Sequence, residues 1–513
     1  MNEEIEEYYE ELYRLYIDEN QPLERRYRQL RESLERVVRE KIQGNSLQTT
    51  DLAARINYVA TQYGLDLKEQ NQLHTFRLTS NDILNHRKSP VKEEFLCDLR
   101  AVAYAYRKMF AQDIPLKLFS VLPKQEIASS GKKEKMEYIR RIRVCFDYAD
   151  DTYLYVHPVD VIADELIRVV YNKPGINHEF EETIKELWRY AQLNLLDVSV
   201  DRDGIYTPSF IVLEPDYLID ISSLAECYKD YGSHPANYFL SRLVPIDNAR
   251  PLLLGNIANL FLDEWIHAGE EEPDYIDCMK KAFRQYPIEL AACAELRDPS
   301  KEKEFAKDCR MHFEHIRDVV QHTFLEPGYN LDKKEAVLEP SYICEALGIQ
   351  GRLDYMQRDM SSFIEMKSGK ADEFSMQGKV EPKENNKVQM LLYMAVLEYS
   401  MGQDRRRMHP YLLYTRYPLL YPARASWAQV RRVINLRNRI VAAEYGVQFH
   451  NHPDFTRNLL AQINPEVVNE RKLSGRFWEQ YLKPSISRFR EKLSALEPLE
   501  QAYFYTLYNF ITK

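Results

Sequence analysis

The feature that most constrains this chain is the spacing of three ionisable residues, Asp354, Glu365 and Lys367, in the segment GRLDYMQRDMSSFIEMKSGK. The SSFIEMK part has the composition of a strand. Side chains in a strand alternate between faces, so Glu365 and Lys367 share one side. GRLDYM is predicted as the preceding strand and QRDMS as the turn between them. The pattern therefore predicts a hairpin that brings two carboxylates and an amine together.

The segments after this hairpin are predicted to complete its surroundings. NNKVQMLLYMAVLEYSM, residues 385–401, has the pattern of an amphipathic helix, with Gln389 and Tyr393 on one face. HPYLLYTRY, residues 409–417, is predicted as a further strand. A D-x10-E-x-K spacing alone arises often by chance and then marks only surface charges. The glycine before the first strand, the Ser-Gly after Lys367 and the Gln-x-x-x-Tyr helix favour a functional site.

As a set, these residues resemble the RecB-type branch of the PD-(D/E)xK nucleases. Within that branch they are most similar to the nuclease half of the replication helicase–nuclease family that trims Okazaki flaps. The residues that carry this resemblance are Gly351, Asp354, Glu365, Lys367, Gln389 and Tyr393. Upstream segments add weaker support, in the order that the family shows: VLEPDYLIDISSLAEC, NYFLSRL and RPLLLGNIANLFLDEWI, residues 212–227, 237–243 and 250–266.

The resemblance implies a mixed α/β fold with a restriction-endonuclease-like PD-(D/E)xK core. It also implies a small β-barrel-like segment, and YIRRIRVCFDYADDTYLYV, with its Asp-Asp turn, is the candidate for it. The remaining regions have helical patterns. The predicted divisions are a helical N-terminal region 1–136, the barrel-like segment 137–204, the nuclease core 205–450 with a helical insertion at about 270–330, and a helical C-terminal connector 451–513.

The resemblance also implies a divalent cation, Mg²⁺ or Mn²⁺, held by Asp354, Glu365 and the backbone carbonyl of Met366. Lys367 then acts on the attacking water or on the charge of the phosphate. Gln389 and Tyr393 organise the substrate or Lys367. Mg²⁺ prefers oxygen ligands and usually takes only one or two protein carboxylates, which agrees with this set of residues.

Two positions leave the ligand set open. Relatives carry a histidine ligand on the helix after Gly-Asn, where this chain has Asn259, whose amide oxygen can still bind a hard cation. Glu339, in VLEPSY, is either a further carboxylate ligand or a partner in a structural salt bridge. Many relatives hold an iron–sulfur cluster. None of the seven cysteines here lies beyond Cys344 and no pair has C-x-x-C spacing, so no cluster is expected.

The net charge is −10, but the charge is unevenly distributed. Between Gly402 and Ile440 there are nine arginines and a single acidic residue, and aromatic residues are interleaved with them. Arginine beside aromatic residues suits a groove that follows a single strand and stacks its bases. A solvated helix face is the alternative. The predicted DNA contacts are Arg416, Arg431, Arg432 and Arg437.

We therefore expect a Mg²⁺- or Mn²⁺-dependent deoxyribonuclease that cleaves single-stranded DNA, flaps or unwound ends in replication and repair. A catalytically silent nuclease-like domain that binds DNA or holds a repair complex together is the alternative, favoured by Asn259. An RNA-directed nuclease also stays open. No G-x-x-x-x-G-K-[ST] motif occurs, so ATP hydrolysis through a P-loop is not expected. A helicase motor is expected in the same chain, if this is a fragment, or in a partner.

Composition indicates a soluble globular protein, since apolar residues make up 45% and charged residues 29% of the chain. With 513 residues it should form two or more domains. The start, MNEEIEEYYEEL, lacks the basic and apolar regions of a signal peptide, and no apolar run approaches the length of a membrane span. Scattered cysteines, odd in number, favour a reducing compartment. The expected location is the cytoplasm, at the bacterial nucleoid, without a membrane partner.

Overall fold

The computed structural model describes residues 3–42, 52–124, 138–159, 165–201, 203–243, 250–329, 331–374, 379–424 and 426–512. It is a mixed α/β structure in which helices predominate and the strands form several small sheets. The chain divides into two compact units, Met1–Glu214 with Glu444–Asn451, and Pro215–Ala443 with His452–Lys513. The predicted boundary between residues 136 and 137 lies outside the described residues. Within the described part, no helix is both long and apolar enough to cross a membrane.

The first unit begins with a bundle of helices whose apolar faces meet in one core. Tyr27, Phe76 and Phe95 are completely buried there, and each such ring removes roughly 150–250 Å² from water. The fourth helix starts at a capping box formed by Asp66 and Glu69. The helices are α1 Glu3–Ile17, α2 Leu23–Ile42, α3 Leu52–Gln62, α4 Leu67–Leu84, α5 Lys92–Phe110 and α6 Leu116–Phe119.

A closed ring of strands completes the first unit. The strands are β1 Tyr138–Ala149, β2 Tyr153–Pro158, β3 Ile167–Val170, β4 Gln192–Val200, β5 Tyr206–Thr207 and β6 Phe210–Leu213, with the short helix α7 Glu181–Lys185 between β3 and β4. Their order is β1-β2-β3-β5-β4, and β4 also pairs with β1, which closes the ring. A register shift, of the kind that a β-bulge produces, lies between Phe146 and Tyr148 of β1. The N-terminal part of β1 pairs with β4 and its C-terminal part with β2.

The last two strands of the ring behave as one strand interrupted at Pro208. Both pair antiparallel with β4 in a single register, and proline has no amide hydrogen to give to the ladder. The predicted barrel segment ends at residue 204, whereas the first unit extends to Glu214. The reason is that the apolar run of β6 pairs with β4 of the ring instead of starting the second unit.

The second unit contains two small sheets and a hairpin. Its strands are β7 Ile219–Asp220, β8 Ala336–Leu338, β9 Ser341–Cys344, β10 Ile349–Arg352, β11 Tyr355–Gln357, β12 Ser362–Lys367, β13 Asp372–Phe374, β14 Lys379–Glu381, β15 His409–Tyr414 and β16 Leu419–Pro422. The larger sheet has the order β16-β15-β12-β11-β8, with β12 parallel to β15 and antiparallel to β11. The smaller sheet has the order β7-β10-β9, and β13 pairs with β14.

Helices make up much of the rest of the second unit. They are α8 Ile221–Ala225, α9 Ala236–Leu243, α10 Arg250–His267, α11 Tyr275–Gln285, α12 Pro287–Ala292, α13 Pro299–Gln321, α14 Glu384–Met401, α15 Trp427–His450, α16 Pro453–Ala461, α17 Pro465–Val468, α18 Lys483–Ser494 and α19 Pro498–Ile511. The end of α15 groups with the first unit. Phe261 of α10 packs edge-to-face on Phe313 of α13 in the core beneath the larger sheet. α14 is apolar on nearly all sides and is buried, and it ends at Gly402, whose φ of 70° suits glycine.

Candidate active site

The predicted hairpin is present, and its second strand is the central strand of the larger sheet. β11 and β12 pair with Tyr355 opposite Ile364. Glu365 and Lys367 project from the same side of β12, since Lys367 Nζ lies 2.9 Å from Glu365 Oε1. The two side chains therefore lie on one face of the strand, as the alternation of residues in the sequence predicts.

Asp354 is held against the central strand by its own carboxylate. It directly precedes β11, and its Oδ2 accepts a hydrogen bond of 2.6 Å from the backbone amide of Met366 on β12. Its carbonyl accepts a 3.0 Å bond from the amide of Glu339. The Asp354 carboxylate is thus bonded to Met366, which lies between Glu365 and Lys367 in β12. The backbone of Met366 contributes here through its amide, while the role of its carbonyl as a ligand stays a prediction.

A ring of three hydrogen bonds joins β12 to α14. Glu365 Oε1 accepts from Lys367 Nζ at 2.9 Å and from Gln389 Nε2 at 2.6 Å. Gln389 Oε1 accepts from Lys367 Nζ at 2.8 Å. Gln389 Nε2 also lies 3.2 Å from the Ser222 hydroxyl on α8. Gln389 therefore fixes the positions of both ionisable groups of β12, and Ser222 is an additional polar neighbour.

Burial controls the charges of this ring. Glu365 is only 4% exposed, and its Oε2 has no hydrogen-bond partner among the residues that the structure describes. Burial, followed by the charge of Asp354, raises the pKa of Glu365 to about 8, although the Lys367 ion pair opposes the shift. Burial likewise raises the pKa of Asp354, against the bond from Met366. Burial lowers the pKa of Lys367, but the Glu365 carboxylate outweighs it, and the net shift is upward.

Tyr393 supports the site from the next turn of α14. Its hydroxyl donates a 2.5 Å hydrogen bond to the carbonyl of Arg352, at the end of β10. A Cβ on Gly351 would come within 3.1 Å of that hydroxyl and of Ile221, so glycine allows α14 and α8 to approach β10 closely. Of the two helix residues predicted to organise the site, Gln389 binds Lys367 directly, whereas Tyr393 bonds to the backbone just before Asp354.

Helix α10 lies against the chain just after the C-terminal end of β12. A Cβ added at Gly255 would lie 3.3 Å from Ser368 Oγ, just beyond Lys367. Asn259 follows one turn later and Asp263 two turns later, on the same helix face. Asn259 therefore lies on the same face of α10 as Gly255, and its place in the metal site stays a prediction.

Asp263 is a candidate residue that the sequence analysis missed. Burial, and then the negative charges of Glu339 and, more weakly, Asp354, raise its pKa to about 6. Such a shift requires these carboxylates to lie near one another. The available signal was the repeat of Gly255, Asn259 and Asp263 at helical spacing, which marks one face of α10.

Glu339 forms a salt bridge, which is one of the two roles that the sequence left open for it. Its carboxylate lies 3.1 Å from Arg352 in an ion pair. Its φ of 49° places it in the left-handed region, which is uncommon for residues other than glycine.

Considering only the described residues, no group of three or more His, Cys, Asp or Glu is arranged to hold a metal ion. A Mg²⁺ site here would rest on Asp354 and Glu365 as a pair, with water completing the shell.

Comparison with known proteins gives a short result. No protein-family model matches this chain. No curated protein matches it either.

The structure separates the four arginines predicted to contact DNA. Arg437 is completely buried, and its guanidinium donates to the carbonyls of Gly348, at 3.2 Å, and Tyr217. The prediction of a DNA contact is wrong for this residue, because its donors are used inside the protein. Arg432 is exposed on α15, while Arg431 and Arg416 are half-buried. Arg416 directly follows a residue whose amide bonds to the Lys367 carbonyl, which places it beside the end of β12.

The raised pKa of Glu365 predicts how stability depends on pH when no metal is present. The unfolded chain ionises Glu365 near its ordinary value, whereas the folded chain keeps the proton until about pH 8. Unfolding therefore releases a proton in this interval, and stability falls as pH rises from about 5 to about 8. Glu365→Gln removes this contribution. Urea unfolding in EDTA should show a smaller loss of stability with pH for the variant than for the wild type. An identical pH dependence would contradict the burial of an ionisable group there.

Proposed function

We propose that this protein is a metal-dependent nuclease that cleaves DNA, with single strands, flaps and unwound ends as preferred substrates. One observation carries the proposal. Within the described part of the chain, Glu365 has a buried oxygen without a partner, lies beside Lys367, and is electrostatically coupled to Asp354, just before the adjoining strand. The mixed sheet centred on β12, with α10 and α14 beside it, supports a PD-(D/E)xK core for the second unit.

A divalent cation fits the residues that are present. Two acidic side chains with raised pKa values lie together, and the neighbouring ammonium of Lys367 is already bonded to Glu365 and Gln389. An ion held by Asp354 and Glu365 would lower both pKa values and satisfy the Oε2 atom of Glu365. Mg²⁺ or Mn²⁺, when bound, would supply a Lewis acid that polarises the phosphate. Asn259 and Asp263 are candidates to bind water in the outer shell.

Lys367 has the properties of a cationic group that stabilises charge. Its pKa is raised, so it carries its proton at neutral pH. Gln389 accepts from this ammonium and fixes its direction. A positioned ammonium stabilises the negative charge that develops on a phosphate oxygen during cleavage. We assign Lys367 to this role and to holding the attacking water by hydrogen bonding, in preference to removing a proton from that water.

The rival proposal is a nuclease-like domain that binds DNA without cutting it. Asn259, in place of a histidine, is its main support. The ordered ring of Glu365, Lys367 and Gln389 favours catalysis, because burying charged groups costs free energy that a scaffold has no reason to spend. A helicase motor, in the same protein or in a partner, would deliver the single strands on which the nuclease acts.

Cleavage assays decide between these proposals. Labelled 5′-flap, single-stranded and duplex DNA, and single-stranded RNA, would be incubated with the protein in Mg²⁺, Mn²⁺ or EDTA. We expect metal-dependent cleavage of the flap and single-stranded DNA, little cleavage of the duplex, and none in EDTA. Protein that binds DNA but cleaves no substrate with either metal would support the scaffold. Preference for RNA would change the substrate class while keeping the mechanism.

DNA contacts outside the catalytic residues can be tested with the half-buried Arg416 and the exposed Arg432. We expect Arg416→Glu combined with Arg432→Glu to raise KM and leave turnover at saturating DNA near normal. Each phosphate contact that is lost should also flatten the dependence of log Kd on log salt concentration by about 0.7 for a single strand. Arg284→Glu, an exposed change on α11, is the matched control. A salt dependence equal to that of the wild type would mean that these arginines only form a solvated surface.

A further inference from the structure

The closed ring of strands in the first unit has a topology that is found in proteins that bind oligomers. Its order, β1-β2-β3-β5-β4 with β4 returning to β1, combines a parallel β3–β5 pair with antiparallel pairs elsewhere. The long strand β1 pairs with both β2 and β4, and a helix lies between β3 and β4. This is the arrangement of the five-stranded oligonucleotide/oligosaccharide-binding barrel. Such barrels bind oligomers on the face of strands 2 and 3, between the β1–β2 and β4–β5 loops.

That face carries a row of tyrosines. On β2, Leu154 and Val156 point into the barrel and are completely buried, so Tyr153 and Tyr155 point outward. Tyr155 stacks on Tyr148 of β1, with ring centroids 4.3 Å apart and planes inclined by 12°. Tyr153 lies 6.4 Å from Tyr155, in an edge-to-face arrangement. Tyr148 and Tyr155 therefore lie side by side on paired strands, and Tyr153 lies two residues away along β2.

An arginine ends this row. The guanidinium carbon of Arg168, on β3, lies 5.8 Å from the centroid of the Tyr153 ring. Its Nη2 donates a 3.3 Å bond to the carbonyl of Asp203 in the β4–β5 loop. Within the described ranges, Arg168 has no carboxylate at ion-pair distance. Among these residues no acid forms an ion pair with Arg168, and its guanidinium lies beside the Tyr153 ring.

Two of the acidic residues near the row, Asp150 and Asp147, are engaged in internal bonds. Asp150 accepts from the amides of Thr152 and Tyr153, at 2.8 and 2.7 Å, and from the hydroxyl of Tyr155 at 2.9 Å. These bonds preform the β1–β2 loop and orient one ring of the row. Asp147 accepts a 2.6 Å bond from Arg189, and the two side chains form an ion pair. The row is thus bordered by an ordered loop.

We propose that the outer face of β1, β2 and β3 is a binding site for a single nucleic-acid strand. Its bases would stack on Tyr148 and Tyr153, and a phosphate would contact Arg168. Base–aromatic stacking tolerates any sequence, so the site would hold a strand without reading it. This site does not depend on the nuclease proposal, because a chain without cleavage activity would still bind here.

Substitutions that remove or keep the rings test the site in the full-length protein. Tyr155 is left unchanged because its hydroxyl orders the loop. Tyr148→Leu with Tyr153→Leu keeps apolar bulk and removes both rings, whereas Tyr148→Phe with Tyr153→Phe keeps them. Tyr503→Leu on α19, where the tyrosine is 68% exposed, is the control outside the barrel. The probes are fluorescein-labelled oligothymidylate and oligouridylate of roughly 15 nucleotides, about the footprint of one such barrel, in EDTA.

We expect the Leu double variant to bind the probes roughly tenfold or more weakly, and the Phe double variant and Tyr503→Leu to bind as the wild type does. Cross-linking with 5-iodouracil-substituted probe should label peptides that contain Tyr148 or Tyr153. If the rings only stabilise the sheet, the Leu variant will melt at a lower temperature while binding and cross-links stay unchanged, and the proposal fails. It also fails if the wild type binds neither probe, or if labelled peptides come only from other regions.

Discussion

Asp354→Asn and Glu365→Gln should each reduce DNA cleavage in Mg²⁺ by roughly 10³-fold or more, because metal catalysis contributes several kcal/mol to the barrier. Each change keeps the shape of the side chain and one carbonyl oxygen. The substituted side chains can therefore still accept the bonds that the Met366 amide and the Lys367 ammonium now donate. The loss should appear in turnover at saturating DNA, while binding in EDTA stays close to that of the wild type.

The control for these variants is Glu314→Gln on α13, a carboxylate outside the hydrogen-bonded ring. It should cleave as the wild type does. Mg²⁺ should raise the melting temperature of the wild type and of Glu314→Gln, and have much less effect on Glu365→Gln, because binding to the folded state alone stabilises it. Cleavage at the wild-type rate by both active-site variants, in preparations free of other nucleases, would exclude these residues from the mechanism.

Arg437→Ala should destabilise the second unit by about 3 kcal/mol or more, since each buried carbonyl that loses its partner costs roughly 1–3 kcal/mol. The carbonyls of Gly348 and Tyr217 both lose the guanidinium. Gly348 has a φ of 64° and its backbone contacts the guanidinium so closely that a Cβ would clash with it. Removing so large a buried side chain also leaves a cavity. Whole domains are often stable by only about 5–15 kcal/mol, so the effect should be large.

Arg432→Ala provides the comparison on the same helix. This side chain is exposed, and surface substitutions usually change stability by less than about 0.5 kcal/mol. Urea unfolding followed by tryptophan fluorescence would measure both variants. Equal midpoints for Arg437→Ala and Arg432→Ala would show that the buried guanidinium is not a structural element.

These arginines illustrate what the sequence could not reveal. Their charge is visible in the sequence, but burial depends on which face of α15 packs against the turn at Gly348. The hairpin of β11 and β12 was predictable because alternation and turn composition are local properties. The bond between Gln389 and Lys367 requires α14 to dock on β12, which spacing along the chain does not specify. Asp263 was missed for the same reason, since its neighbours Glu339 and Asp354 follow much later in the chain.

The ring of strands shows the same limit at a larger scale. The alternation and the Asp-Asp turn of β1 and β2 predict a hairpin. Closure depends on the pairing of β4 with β1 and on the single parallel contact of Val169 with Tyr206. Pairings between distant segments leave no periodic signal. The tyrosine row could be recognised only after the structure had placed Tyr148 beside Tyr155 and Arg168 beside Tyr153.

The hydrogen bond between Gln389 and Ser222 has a consequence for the order of folding. It joins residues that are 167 positions apart, and closing so long a loop costs entropy before the contact can offset it. During synthesis, β12 leaves the ribosome before α14, so Glu365 and Lys367 exist for a time without the amide that fixes them. The hydrogen-bonded geometry of the candidate site can therefore form only after α14 has been synthesised.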